Sequence, residues 1–281
     1  MEPREPPWSR WTARLLWSRW TRGRHAAAAG RLLVVAALLA AAVVGVCGIS
    51  RIASAPRLDA TEVPALQVQP ADVQPGAAAP EAPATRPAPQ AAPGRDALGE
   101  WAARLASAVD IPARALRAYG MTDLAMRAEA PRCRVSWATL AGIGRVESNH
   151  GQYGGAVLRD DGRPSRAIVG VPLDGSPGVA AIGDTDGGQL DGDATHDRAV
   201  GPMQFIPSTW ARWGSDGDGD GRADPGDIDD AALAAGRYLC ADGRDMGTAH
   251  GWWAGVLSYN NSVEYGQRVF GAADTYARRS R

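Results

Sequence analysis

The chain contains no lysine; its thirty basic residues are all arginine, set against thirty-one acidic ones, and the formal net charge is −1. A balance so close to zero supplies no overall positive field, and no nucleic-acid partner is expected. No internal repeat is visible, which excludes a solenoid or array. Charge is missing altogether from Leu32 to Ser50, about the length that crosses a bilayer as a helix. Seven arginines (Arg4, Arg10, Arg14, Arg19, Arg22, Arg24, Arg31) precede that run, so residues 1–31 read as a basic cytoplasmic segment and 32–50 as a single membrane anchor. A cleaved secretory signal is the alternative, with Ala53-Ser54-Ala55 as its small-residue site. In both cases the remainder is exported. Cys47 reads as a small buried membrane residue.

From Ile52 to Pro93 there is no aromatic residue and no helical periodicity, while prolines recur at 64, 70, 75, 80, 83, 87 and 89. Residues 51–95 therefore read as a disordered, semi-extended Ala/Pro-rich linker that holds the C-terminal part of the chain away from the membrane. Everything able to build a core begins near Ala97, which points to one domain over residues 96–278.

That domain reads as mainly α. Leu98, Trp101, Leu105 and Val109 recur at helical steps before Pro112, and Ala113 to Tyr119 resumes a helix with Gly120 as its stop. Further helices are expected at 136–148, 207–213, 228–239 and 252–259. The Gly/Asp-rich stretch from Gly151 to Val200 has few periodic features and reads as an irregular or hairpin-like insertion walling a cleft.

Trp137, Leu140, Ile143 and Val146 mark the apolar face of the 136–148 helix, and Glu147 follows Leu140 by seven residues and Ile143 by four. A carboxyl on that face, near the negative end of the helix dipole, should be harder to ionise and so able to donate a proton near neutral pH. A solvent-facing glutamate paired with Arg145 is the plain alternative. No second carboxylate occupies an equally apolar helical setting. Asp160, Asp161, Asp184, Asp186, Asp191, Asp193 and Asp197 nevertheless lie in the irregular stretch, and any one could fold back to activate water as a second carboxylate.

Arg145-Val146-Glu147-Ser148-Asn149-His150-Gly151 resembles the catalytic motif of lytic transglycosylases of the lysozyme-like superfamily. Gly201-Pro202-Met203-Gln204-Phe205-Ile206-Pro207-Ser208-Thr209-Trp210 and Leu257-Ser258-Tyr259-Asn260-Asn261 resemble that family's later blocks, in its order. The likeness is to the membrane-bound lytic murein transglycosylase B group. It implies a lysozyme-like transglycosylase domain that cleaves peptidoglycan glycan strands, with Glu147 as the single acid/base and 1,6-anhydromuramoyl ends as product. It also implies that Ser148 supports the glutamate, that Met203, Gln204 and Phe205 line the glycan cleft, and that Tyr259 and Asn260 lie near Glu147. Met203 and Phe205 suit a core position equally well. A hydrolytic muramidase using one of the aspartates of the irregular stretch as second carboxylate is one alternative, and a non-catalytic glycan-binding module is the alternative from another class.

Export gives Cys133 and Cys240 meaning, since they are the only cysteines beyond the anchor; a disulfide is expected, with two free buried thiols as the alternative. Asp216, Asp218, Asp220, Asp224 and Asp227 occupy positions 1, 3, 5, 9 and 12 of an EF-hand-like loop that has Gly221 at position 6 and Arg222 at position 7. A structural calcium ion is expected there, and related transglycosylases carry a similar loop. Asp227 stands where the pattern has glutamate.

Overall fold

The computed structural model describes residues 61–63, 68–85 and 96–281, all within the unit Leu58–Arg281. The basic segment 1–31, the predicted span 32–50 and the Ala53-Ser54-Ala55 site lie outside the described residues. Among the described residues no helix is long and apolar enough to cross a membrane.

The domain is mainly helical, with α1 (Ala97–Val109), α2 (Ala113–Glu129), α3 (Trp137–Ser148), α4 (Pro207–Trp213), α5 (Ile228–Leu239), α6 (Ala249–Tyr259) and α7 (Val263–Arg279) among the described residues. Local chemistry sets most boundaries. Asp96 caps α1 by accepting from the Gly99 amide at 3.0 Å. Ser136 caps α3 through Thr139, Thr248 caps α6 through Gly251, and Ser262 caps α7 through Tyr265. The α3 helix ends in three consecutive left-handed residues, Asn149, His150 and Gly151.

Two readings of the helices need correction. Gly120 does not stop α2, which runs nine residues further to Glu129. A Cβ at Gly120 would lie 2.7 Å from the Trp101 ring and 3.0 Å from Leu98, so this glycine serves the close crossing of α1 and α2. Helix α7 was not expected at all. Its buried stripe of Tyr265, Val269, Ala273, Tyr276 and Ala277 has helical spacing, but two glycines and many polar residues dilute it.

At the centre lies α3, with Trp137, Leu140 and Ile143 fully enclosed. It packs on α2 and α7 through glycines. A Cβ at Gly142 would fall 2.8 Å from the Val269 carbonyl, and one at Gly144 would run into the Tyr119 hydroxyl. A disulfide between Cys133 and Cys240, with Cα atoms 5.4 Å apart, ties the approach to α3 to the end of α5.

Residues 68–85 depart from the linker expectation, because they lie along the domain. The Trp253 indole donates to the Ala77 carbonyl at 3.1 Å and the Trp137 indole to the Pro83 carbonyl at 3.0 Å. Gln267 donates to the Val73 carbonyl, and the buried Thr85 hydroxyl to Asp123. Within this proline-rich segment only the Val73 and Ala77 amides bond back to neighbouring carbonyls, so the Ala77 and Pro83 carbonyls remain available to buried indole N–H groups that need acceptors.

The stretch from Gly151 to Val200 is irregular with hairpin character. It holds the strand β2 (Ile168–Gly170), parallel to β1 (Thr61–Val63), and antiparallel bridges at Leu158–Pro164, Asp174–Ala181 and Gly183–His196. Its aspartates build turns: Asp184 accepts from the Asp186, Gly187 and Gly188 amides, and the buried Asp197 takes both the amide and the hydroxyl of Thr185.

Candidate active site

Glu147 stands on the last turn of α3, on the face that carries Leu140 and Ile143, and is partly open to solvent. The Tyr265 hydroxyl donates to Glu147 Oε1 at 2.6 Å. Desolvation pushes the carboxyl pKa up to about 7, and the Tyr265 bond works against that rise without cancelling it. Burial, reinforced by the Glu147 charge, pushes Tyr265 well above the usual tyrosine value, so its hydroxyl keeps its proton and remains a donor.

Tyr259 lies close enough for the same charge to act on it, and its hydroxyl donates to the Met203 carbonyl at 2.7 Å. It stands in a run of ring contacts from Trp210 through Phe205, Tyr259 and Tyr238 to Trp213, with centroids 5.4 to 5.8 Å apart. Phe205 and Trp210 are buried, whereas Tyr259, Tyr238 and Trp213 keep part of their faces open.

The other expected site residues separate into two groups. Ser148 is buried, donating to the Pro202 carbonyl at 2.6 Å and accepting from the Gly151 amide at 2.7 Å. It therefore ties the end of α3 to the 201–205 block and is not placed to touch a sugar. Met203 is fully enclosed and Phe205 is 2% exposed, so both are core and the expectation that they line the cleft is corrected. Gln204 is half-buried with φ of 50°, its amide group folded back onto the Gly201 carbonyl at 3.0 Å. Asn260 is exposed at the end of α6.

Three features escaped sequence reasoning. Tyr265 carried the signal of a tyrosine in the first turn of a capped helix, six residues after Tyr259. His150, inside the first motif, lies between the Tyr119 and Tyr276 hydroxyls, each 3.1 Å from a ring nitrogen. Burial pushes its pKa down to about 3, which keeps it neutral, so it bridges α2 and α7 beneath the end of α3. Asp230 is the third.

In the acidic loop, carboxylate oxygens of Asp216, Asp218 and Asp230 converge within 4.8 Å. Asp230 accepts from the Gly217 and Asp224 amides, which fastens it across the loop. Asp220 accepts from the Arg222 amide, and Asp224 pairs with Arg163. Asp227 is turned away: it caps α5 through the Asp229 amide at 2.9 Å and lies 3.7 Å from Arg163, with burial pushing its pKa to about 6. Three converging hard oxygen donors fit calcium, with Asp230 in the place expected of Asp227. A second group, Asp184, Asp186 and Asp197, also converges within 4.8 Å.

Residues 194–269 match the family model described as the transglycosylase SLT domain. The match takes in the Gly201–Trp210 block, the acidic loop, Tyr259 and Tyr265, and begins after Glu147. No curated protein matches the chain. Among solved structures, the Escherichia coli lytic transglycosylase Slt35 in complex with bulgecin A is similar at 14% identity, over 67% of this chain and 80% of that one, with a TM-score of 0.38. SltB3 from Pseudomonas aeruginosa in complex with NAG-anhNAM-pentapeptide is similar at 19% identity, over 64% of this chain and 68% of that one, with a TM-score of 0.36.

Proposed function

We propose, from the premise that this chain is an enzyme carrying a transglycosylase SLT domain, that it is a lytic transglycosylase of peptidoglycan with Glu147 as its single acid/base. The observation that carries the reading is the placement of the Glu147 carboxyl on the last turn of α3, held on one oxygen by the Tyr265 hydroxyl and pushed by desolvation up to about 7. Protonated, it donates from the other oxygen to the glycosidic oxygen that follows N-acetylmuramic acid, and the C1–O bond breaks. The resulting carboxylate then takes the proton from the muramic acid C6 hydroxyl as that oxygen bonds to C1. The product is a 1,6-anhydro ring, no water is consumed, and Glu147 ends protonated as it began.

Around this step, Tyr259, Tyr238 and Trp213 offer flat faces for sugar rings, and Gln204 and Asn260 offer amide groups for the hydroxyl and acetamido substituents. The aspartates from Asp184 to Asp197 are committed to turns, which favours a single acid/base over a pair. In the same reading the 32–50 segment tethers the enzyme, and the domain works outside the cytoplasm, where a disulfide persists. Calcium held by Asp216, Asp218 and Asp230 would brace the loop beside the 201–210 block and take no part in proton transfer.

Glu147→Gln tests the assignment. The variant should fold and lose nearly all glycan cleavage, by about a thousandfold or more, because an amide supplies no such proton. Substantial residual turnover would move the chemistry to another residue.

A further inference from the structure

His150 follows Glu147 by three residues and takes no part in the proton transfers above. It is fully enclosed, with φ of 60°, a left-handed conformation that histidine reaches more readily than most residues with a side chain. Its amide donates to the Gly144 carbonyl at 2.8 Å, which folds the chain back onto the last turn of α3. The ring then lies between two helices, with Nδ1 3.1 Å from the Tyr119 hydroxyl on α2 and Nε2 3.1 Å from the Tyr276 hydroxyl on α7. Besides these hydroxyls, the Arg145 charge on α3 acts on it.

The arrangement has a direction. A neutral imidazole offers one N–H donor and one acceptor nitrogen. Tyr119 is fully enclosed and has no other hydrogen-bond partner among the described residues, so its hydrogen goes to Nδ1. Nε2 therefore carries the imidazole hydrogen and donates it to the Tyr276 oxygen. Tyr276 has an outlet for its own hydrogen, since it is 6% exposed and lines a cavity of about 460 Å³ together with Asp110.

Tyr276 follows Tyr265 by eleven residues, about three helical turns, and both belong to the buried stripe of α7. That helix is thus held to the end of α3 at two points, Tyr265 on Glu147 and Tyr276 on His150. The helices also touch at Gly142, where a Cβ would fall 2.8 Å from the Val269 carbonyl, so no side chain cushions the contact. A rigid helix that pivots there moves at both points together.

We propose that His150 is a positioning residue for the acid: the Tyr119–His150–Tyr276 chain fixes α7 against the end of α3 and thereby holds the Tyr265 hydroxyl on the Glu147 carboxyl. The assignment rests on the reading of Glu147 as the acid. His150 itself touches no substrate and exchanges no proton in the reaction.

The proton affinity of Glu147 can be read without turnover. In the full-length chain, in detergent, with carbon-13 at its glutamate carboxyls, the Glu147 signal is the one lost in Glu147→Gln. Asparagine suits the left-handed backbone but is too short to span both hydroxyls, so His150→Asn breaks the chain, while Tyr276→Phe removes a single oxygen. Each should move the Glu147 titration, and the alkaline limb of kcat/KM, up by about half a pH unit or more, because the donor that favours the carboxylate is loosened. Each should also lower kcat by about tenfold with KM unchanged. Added to Tyr265→Phe, neither should move the titration further, since the bond they protect is already gone. A Glu147 titration that stays in place in Tyr276→Phe overturns the proposal, as does a shift that adds in full to that of Tyr265→Phe. Nitrogen-15 spectra should show the histidine signal lost in His150→Asn as a neutral ring with its hydrogen on Nε2. A hydrogen on Nδ1, or an imidazolium near neutral pH, overturns the assigned chain. If Glu147→Gln still cleaves glycan while both variants move the Glu147 titration, the acid reading falls and the positioning of its carboxyl stands.

Discussion

Glu147 sits where opposed influences on one proton meet. Desolvation raises its pKa, the helix dipole at the end of α3 disfavours its charge, and the Tyr265 hydroxyl favours the ionised form. Removing that hydroxyl has a definite sign. In Tyr265→Phe the carboxylate loses its donor, so the pKa rises further and the acid holds its proton to higher pH. The alkaline limb of the kcat/KM profile should move up by about one pH unit, since a hydrogen bond to a charged group is worth about 1.5–3 kcal/mol. Activity should also fall, because the carboxyl is no longer oriented. A limb that stays in place, or moves down, would show that Tyr265 does not set the proton affinity of the acid. At this scale the place of Glu147 on the apolar face of α3 was legible from its register with Leu140 and Ile143, while its candidacy as the acid rested on the resemblance of the motif around it. The sequence concealed Tyr265 and Asp230, because both are brought to their partners by tertiary packing over long separations.

The elements show where local chemistry suffices and where it does not. The 136–148 helix was legible from its apolar spacing, and in the structure Ser136 caps its start and the left-handed run Asn149–Gly151 ends it. Gly120 has the composition of a stop, yet its role is set by Trp101 and Leu98 on another helix. The acidic loop shows the same contrast. Its Asp-Gly pattern is plain, but the carboxylate that converges on Asp216 and Asp218 comes from Asp230, inside α5, while Asp227 serves as that helix's cap. Calcium should therefore raise the melting temperature of the full-length chain by about 5 °C or more at a hundredfold excess over its Kd. Asp216→Ala with Asp230→Ala should abolish the gain, whereas Asp220→Ala alone should leave most of it. Melting curves that coincide in chelator and in millimolar calcium would refute the site.

At the scale of the molecule, long-range ties hold α3, the helix that carries Glu147, in place. The disulfide closes a separation of 107 residues, which the chain-entropy model credits with about 4–5 kcal/mol. The 68–85 segment adds a second tie. It meets Trp137, at the start of the helix that carries Glu147, and Trp253 on α6. Its composition alone suggested a spacer, because the buried indole donors that seat it lie far along the chain. These ties leave Glu147 fixed between the 201–205 block and α7, and the proposed function assigns both proton transfers to its one carboxyl. The most direct test of that claim is the mass spectrum of fragments released from peptidoglycan by the full-length chain. A single acid/base with no activated water predicts muropeptides ending in 1,6-anhydromuramic acid. Fragments one water heavier, with reducing muramic acid ends, would contradict it and establish hydrolysis.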